Sequence, residues 1–564
     1  MANDALNIVI GGEAGQGLAT VGELLSKTLV RAGYSINVTQ DYQNRVRGGH
    51  NTFRVRASPN QVLAPQESVD LLVALTADTV DLHKQEMAPR GLMLADQSLK
   101  LEGCCLNVPF SELAEGRFVN VAALGVIGGL LGLDRRVALG LVKDNFSRMG
   151  PEVVQTNRQA LDAGYKWAQG QKSPLRKLSR VTDRPKRLML NGNEALVLGA
   201  LSAGLRFYSF YPMTPSTPIG LNLAAYAEKM GLVVEQGEDE IAVINMALGA
   251  SFAGAPAMVG TSGGGFALMV ESVSLAGMSE TPIVIVVGQR PGPATGLPTR
   301  TEQGELEFVL HSGHGEFPRA ILTPGNAEQC FHLARKALEL AERYQTPIFI
   351  LTDLYLADCY QDVIPFEIES LPQYGPQIDQ EPISRPYARY AITENGISPR
   401  LLPGLSEHLV VADSDEHDEA GHLTEDLSLR TKMVEKRLRK GEGIREEVVP
   451  PDYEGEDSPD ILLVSWGSTR GSTLEAAAVL REQGVKAATL HFSQVWPLVQ
   501  EQFIDKLKAA KQVVSIESNA FGQFARLIRR ETGFHIRKQV HRYDGLPITP
   551  EYILRNLGKQ GIGR

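Results

Sequence analysis

Short β-branched runs alternate with longer amphipathic stretches along this chain, and glycine recurs where one gives way to the other. That alternation is the pattern of βα units, in which a buried strand feeds a helix through a tight turn. In the first region LNIVI (6–10) reads as a buried strand, GGEAGQG (11–17) as a glycine-rich turn and TVGELLSKTLVRAG (20–33) as an amphipathic helix ending on Gly33. SINVTQ, TFRVRA, DLLVALT and LMLAD continue as strands, which predicts an open, largely parallel sheet. The second region runs helix EALVLGALSAG, strand FYSFYP, helix IGLNLAAYAEKMG, strand LVVEQ, helix EIAVINMALGASFAG and strand AMVGT. A GGG turn and the strands PIVIVVG and PIFILTD follow. The third has strands ILLVSW, KAATLHF and VVSIE, interleaved with helices STLEAAAVLREQG, one near 498–509, and FGQFARLIRRETG. The chain therefore reads as α/β with three open parallel-sheet domains, at 1–170, 188–375 and 458–564.

Two stretches lack this pattern. Residues 171–187 carry seven basic side chains, one acid and two prolines, and read either as a solvated tether or as an anion- or partner-binding strip. Residues 376–457 form an irregular, charged connection rich in proline. The net charge of −10 argues against a nucleic-acid binder. The four cysteines, Cys104, Cys105, Cys330 and Cys359, include no C-x-x-C spacing, so no iron–sulfur cluster or structural zinc is expected on this chain. No basic segment leads into an apolar one at the N-terminus, and no run approaches about 18 apolar residues. Neither a signal peptide nor a membrane span is expected, and the reading is cytoplasmic.

Several motifs carry candidate chemistry. Glycines in 11–17 let backbone approach a ligand, and Gly12, Gly15, Gln16 and Gly17 are candidate contacts; the spacing is not G-x-G-x-x-G, and a plain strand–helix turn also explains it. In NRVRGGHNTFRVR (44–56), Arg45 and Arg47 beside Gly48 and Gly49 suit a phosphate-bearing ligand or a docking surface, while Arg54 and Arg56 read as the solvated face of a strand whose Phe53 and Val55 point inward. YPMTPSTP (211–218) is a proline-stiffened turn at a strand's carboxyl end, where α/β proteins bind ligands. It offers the hydroxyls of Thr214, Ser216 and Thr217, one of which helix capping would explain.

EQGEDEIAVINMALGASFAG (235–254) opens a helix with an acidic cluster. Dipole complementarity accounts for Glu238 and Asp239. Glu240 stands where the apolar period begins, and an inward carboxylate needs a task, such as sharing a proton with N1′ of thiamine's aminopyrimidine. TSGGGF (261–266) brings backbone near a cofactor or merely permits tight packing. Arg290, closing the strand VIVVGQ, suits carboxylate binding or a surface ion pair. DSDEHDEAGH (413–422) reads as a solvated acidic loop, with a metal site built on His417 and His422 as the alternative.

YPMTPST, EDEIAVINMALGASFAGA, GTSGGGF and the late acidic SDEH stretch together resemble the α subunit of 2-oxoacid:ferredoxin (acceptor) oxidoreductases, and GGEAGQG with RVRGGHN resembles that family's γ subunit fused ahead of it. The resemblance spans nearly the whole chain. It implies a γ-like Rossmannoid domain closing over coenzyme A, a thiamine pyrimidine-binding domain and a transketolase C-terminal-like domain. It implies that Glu240 is the pyrimidine-activating glutamate and that Thr214 and Arg290 hold the 2-oxoacid. Tyr211, Pro212, Gly263, Gly264 and Phe266 are implied to face thiamine diphosphate. Coenzyme A is implied at Gly12, Gly15, Gln16, Gly17, Arg45, Arg47, Gly48 and Gly49. No G-D-G…N motif and no cluster cysteines are present, so the resemblance implies a separate β subunit carrying Mg2+, the pyrophosphate site and a [4Fe–4S] cluster. Ferredoxin as acceptor, coenzyme A as co-substrate and an (αβ)2 heterotetramer are further implications. 2-Oxoglutarate is the implied substrate, with pyruvate or branched 2-oxoacids open. A non-catalytic scaffold binding a nucleotide through GGEAGQG, and a different thiamine lyase or ketolase, are the competing readings.

Overall fold

The computed structural model of the chain describes residues 4–13, 17–42, 49–99, 105–182, 184–376 and 387–562. It contains three sheets, and the chain divides into two compact units. The first unit comprises 1–191, 358–366 and 549–554; the second comprises 192–357, 367–548 and 555–564.

The first unit is built on an eight-stranded sheet. One half, Cys105–Val108, Met87–Asp96, Val69–Ala74 and Leu6–Glu13, is parallel. The other half, His50–Ser58, Ser35–Asp41, Tyr360–Val363 and Leu188–Leu190, continues from Leu6–Glu13 in antiparallel pairs. The expected largely parallel sheet is thus mixed. The connection between Ser35–Asp41 and His50–Ser58 is too short for a crossover helix, so those neighbours must run antiparallel. The domain boundary also moves: Leu188–Leu190 and Tyr360–Val363, assigned by pattern to the second region, complete this sheet. The basic stretch is no free tether, because Leu175 and Leu178 enter the first unit's core.

Three helices not evident in the pattern, Val119–Leu131, Arg135–Phe146 and Pro151–Gln169, cover this sheet together with Leu18–Arg31. Phe53 and Val55 are buried as expected, but so is Arg56, whose guanidinium donates to the Ala64 carbonyl at 2.7 Å. Arg54 pairs with Glu86 at 2.7 Å.

The second unit holds two sheets. The seven-stranded one runs Gln494–Trp496, Ala320–Leu322, Pro347–Asp353, Ile283–Gln289, Ala257–Thr261, Phe207–Phe210 and Val233–Gln236, parallel except at its first pair. The five-stranded one runs Asp452–Glu454, Ala487–Phe492, Ile461–Trp466, Gln512–Glu517 and Lys538–His541, again parallel beyond its first pair. Strand Gln494–Trp496 lies in the third region by sequence yet pairs with Ala320–Leu322. One apolar core, including Phe266, Phe349, Trp466 and Phe524, is shared by both sheets. The second and third regions therefore fold as one unit.

From residue 387 on, the irregular connection is more ordered than its composition suggests. It contains the helix Leu427–Glu446, whose buried Lys436 and Lys440 both contact Glu280, the former at 2.6 Å. Burial alone would raise the Glu280 carboxyl, but the ammoniums of Lys440 and Lys436 and the Arg389 guanidinium outweigh it and hold it at about 2. Within 413–422, His417 is fully buried against Tyr390, with ring centroids 4.0 Å apart, and Glu416 pairs with Arg437 at 2.9 Å. Glu416 and His417 anchor the stretch, while Ser414, Asp415, Glu419 and His422 stay exposed, so most of it is solvated as expected; among the described residues no group of three or more His, Cys, Asp and Glu side chains is arranged to hold a metal ion. Among the described residues no helix is long and apolar enough to cross a membrane.

Candidate active site

The parallel strands of the seven-stranded sheet end along one edge, and the segments leaving Phe210, Gln236, Thr261 and Gln289 carry the predicted site residues. Brought to one edge from four places in the chain, these segments have the arrangement in which open α/β sheets bind ligands.

The turn after Phe207–Phe210 leaves Tyr211 and Pro212 exposed and Thr214 half-buried. Ser216 stands at the N-cap of helix Thr217–Met230, but its hydroxyl donates to the Met213 carbonyl at 2.9 Å instead of capping. Asn193 donates to the Pro215 carbonyl at 3.0 Å, pinning the turn from below. Arg290 donates to the Thr214 carbonyl at 2.8 Å, so the two residues expected to hold substrate are joined directly.

Helix Glu240–Phe252 starts with Asp239 as N-cap, its carboxylate accepting from the Ala242 amide at 2.7 Å. That bond explains Asp239 structurally. Glu240 turns inward and is only 3 % exposed. Its Oε1 is buried and has no hydrogen-bond partner among the described residues. Burial pushes its carboxyl above the ordinary value, and the Asp239 charge adds to the rise.

The three glycines of TSGGGF form the first turn of a helix, Gly263–Met278, rather than a free turn. Their lack of side chains has a direct cause. A Cβ at Gly263 would come within 2.6 Å of Glu305 Oε1, and one at Gly265 would come within 2.8 Å of Glu240 Cδ. Two carboxyl groups thus press on the start of this helix from different strand ends. Gly264 between them is exposed. Phe266 departs from expectation: it is fully buried, edge-on to Phe308 and Phe349 at 5.3 and 5.8 Å between centroids. Its ring belongs to the core and presents no face to a cofactor.

Glu305 was not singled out by sequence. It lies in TRTEQGELEF, where Glu302 and Glu305 end the glycine- and proline-rich loop that follows Arg290, a signal available but weak. Burial pushes its carboxyl up to about 8, with the Glu302 charge adding and Arg290 opposing. Its Oε2 is buried and has no hydrogen-bond partner among the described residues.

In the first unit the strand Leu6–Glu13 runs on through Gly12, which pairs with Asn51 in the ladder, so the expected turn is shorter than 11–17. Gly17 is left-handed at φ 74°, and Gly49 at φ 77°. Gly15, Gln16, Arg45, Arg47 and Gly48 lie outside the described residues.

An inward carboxylate with no partner among the described residues, an arginine bonded to the proline-stiffened turn and a glycine cradle between two acids fit a thiamine pyrimidine site. Residues 198–436 match the family model for the thiamine-diphosphate-binding region of pyruvate flavodoxin/ferredoxin oxidoreductases, and residues 7–167 match the pyruvate ferredoxin/flavodoxin oxidoreductase model. The α subunit of 2-oxoacid:ferredoxin oxidoreductase 1 from Aeropyrum pernix is 30% identical over 96% of this chain and 95% of its own length. The chain belongs to the 2-oxoacid:ferredoxin oxidoreductase α-subunit family.

The 2-oxoglutarate synthase subunit KorA of Archaeoglobus fulgidus is 33% identical and covers 65% of this chain and 97% of its own length. A solved 2-oxoglutarate:ferredoxin oxidoreductase from Magnetococcus marinus, with 2-oxoglutarate, coenzyme A and succinyl-CoA bound, superposes with a TM-score of 0.92 at 31% identity, covering 99% of this chain and 100% of that one. As a 2-oxoacid:ferredoxin oxidoreductase α subunit, the chain carries the family's thiamine-diphosphate-dependent region in its second unit.

Proposed function

We propose that this chain catalyses, with a separate β subunit, the coenzyme A-dependent oxidative decarboxylation of 2-oxoglutarate to succinyl-CoA, with electrons passing to ferredoxin. The observation that carries the reading is Glu240: a carboxyl buried at a strand's carboxyl end, raised by burial and left with an unpartnered oxygen. Such a group is costly unless it meets a partner.

Thiamine diphosphate supplies, when bound, the electron sink that lets a 2-oxoacid lose carbon dioxide. Glu240 would share a proton with N1′ of the aminopyrimidine, and its raised affinity suits it to hold that proton. Arg290 would bind the substrate carboxylate, and its bond to the Thr214 carbonyl fixes the guanidinium against the turn. Thr214 would contact the substrate carbonyl. Tyr211 and Pro212, exposed on this chain, with Gly263 and Gly264, would line the cofactor. Mg2+, the pyrophosphate contacts and a [4Fe–4S] cluster are assigned to β, and the assembly to (αβ)2. The first unit, through Gly12, Gly17 and Gly49 with Gly15, Gln16, Arg45, Arg47 and Gly48, is assigned coenzyme A. 2-Oxoglutarate is preferred because the KorA relative and the Magnetococcus protein carry that substrate in their names.

Glu240→Gln tests this in the chain co-expressed with β. The variant should co-purify with β and lose about 10²-fold or more in 2-oxoglutarate-dependent viologen reduction, the range of a lost acid–base group. Near-normal turnover would remove Glu240 from the reaction. Comparing 2-oxoglutarate with pyruvate, with and without coenzyme A, decides the substrate and the acyl acceptor.

A further inference from the structure

The first unit holds a relay of side chains that the reaction as described leaves unused. His50 and Arg54 stand on one face of the strand His50–Ser58. His83 ends the helix Ala77–His83, and the turn Lys84–Glu86 brings Glu86 back beside it. Arg54 Nη2 donates to Glu86 Oε2 at 2.7 Å, and His83 Nδ1 lies 3.2 Å from the same oxygen. Arg54 Nη2 is 3.4 Å from His83 Nδ1, a poorer contact than the carboxylate offers. A carboxylate only accepts, so the network assigns the hydrogen of neutral His83 to Nδ1. His83 Nε2 is then bare and accepts from His50 Nε2 at 2.8 Å. His50 Nδ1 is left as a bare lone pair, buried and with no hydrogen-bond partner among the described residues. The ring lies between the two glycine motifs assigned to coenzyme A: a Cβ on Gly11 would come within 3.1 Å of His50 Cε1, and left-handed Gly49 directly precedes His50.

We propose that His50 is the proton acceptor for the thiol of coenzyme A, with His83 and Glu86 as positioning residues that take up the charge. The proposal rests on the assignment of coenzyme A to this unit. A bare lone pair calls for a hydrogen donor, and an ionised phosphate offers none. Of the donors on coenzyme A, the thiol is the one that must lose its proton, because the thiolate is the nucleophile. The S–H bond breaks with its electron pair left on sulfur, and the proton passes to His50 Nδ1. The hydrogen on His50 Nε2 crosses to His83 Nε2, so the positive charge comes to rest beside the Glu86 carboxylate. Conversion of a 2-oxoacid and a thiol to a thioester, carbon dioxide and two electrons releases one proton, and this is that proton. The charged and titratable groups around His50 are His83, Asp41, Asp78 and Arg54. Burial and His83 lower its proton affinity against the pull of the two acids, so the ring is neutral and ready to accept near pH 7.

The experiment titrates the complex with β with coenzyme A, in the absence of 2-oxoacid, and follows the ultraviolet absorbance of thiolate. At pH 7 the parent should develop the thiolate band on binding, and desulfo-coenzyme A should bind without it. His50→Gln keeps an amide donor for His83 but no proton-accepting nitrogen. It should lose the band, and its coenzyme A-dependent turnover should fall about 10²-fold or more at pH 7. That loss should shrink as pH passes about 8.5, where a thiol ionises unaided; a merely structural defect would not recover. Glu86→Gln, which leaves His50 in place, should weaken the band. A band undiminished in His50→Gln or Glu86→Gln, or a parent that binds coenzyme A without one, overturns the proposal and leaves the 2-oxoacid activity standing. A parent complex that does not bind coenzyme A overturns the assignment of that co-substrate, and the proposal with it.

Discussion

Gly265→Ala probes the cradle with one added methyl group. Its Cβ would lie 2.8 Å from Glu240 Cδ, closer still to Glu240 Oε1 and to the Thr261 hydroxyl. Carbon atoms in contact settle near 3.5–4 Å, so something must move by about 1 Å. The Thr261 hydroxyl can only turn aside on a side chain anchored in a buried parallel strand, whereas the Glu240 carboxyl ends a longer, flexible side chain and takes up most of the shift. The carboxyl is therefore the group displaced, and a shift of about 1 Å in a catalytic group costs about 10²-fold in turnover. The assay is dye reduction at saturating 2-oxoglutarate and coenzyme A, with a thermal melt to confirm folding. Gly249→Ala, on an exposed face of helix Glu240–Phe252 with nothing within 4 Å, is the control and should keep full activity. Parent-like turnover in Gly265→Ala, or an equal loss in Gly249→Ala, would refute the argument.

Two further outcomes concern the scaffold. Glu280→Gln strands the buried Lys436 and Lys440 without an anion and should cost about 3–5 kcal/mol, read as a lower urea midpoint; an unchanged midpoint would show that the cluster contributes little. Because its carboxyl is held at about 2, the stability Glu280 adds is present above pH 4.5 and is lost as pH falls toward 2, so the gap between parent and variant should narrow in acid. Asp239→Ala removes the N-cap of the Glu240 helix and should cost about 1 kcal/mol in unfolding free energy by the same urea titration, whereas Glu238→Ala, at an exposed position before the helix, should cost less.

Much of this protein is local physics and was legible in order along the chain. Short β-branched apolar runs marked the strands Leu6–Glu13, Ile283–Gln289 and Pro347–Asp353, and apolar stretches of helical length marked the helices Leu18–Arg31 and Glu240–Phe252, because a parallel strand is covered on both faces and a helix buries recurring positions. The break of pattern at Glu240 was visible for the same reason: a carboxylate at an apolar position stands out against its own helix. What pairs with what was not visible. Strand order depends on contacts between residues far apart in sequence, so Leu188–Leu190 and Tyr360–Val363 joined the first sheet, and Gln494–Trp496 joined the second, against their place in the chain. The solvated reading of Arg56 failed likewise, since its carbonyl partner at Ala64 comes from a fold-back of the chain. Sequence by itself determined that Glu240 faces inward, that a proline turn and an arginine end two strands, and that the fold is α/β. Only the tertiary structure decided that Arg290 holds the Thr214 turn, that Phe266 is core, and that Glu305 meets the same glycine helix start as Glu240. The reason is that side-chain spacing is written within an element, whereas the meeting of strand ends is set by how the sheet assembles.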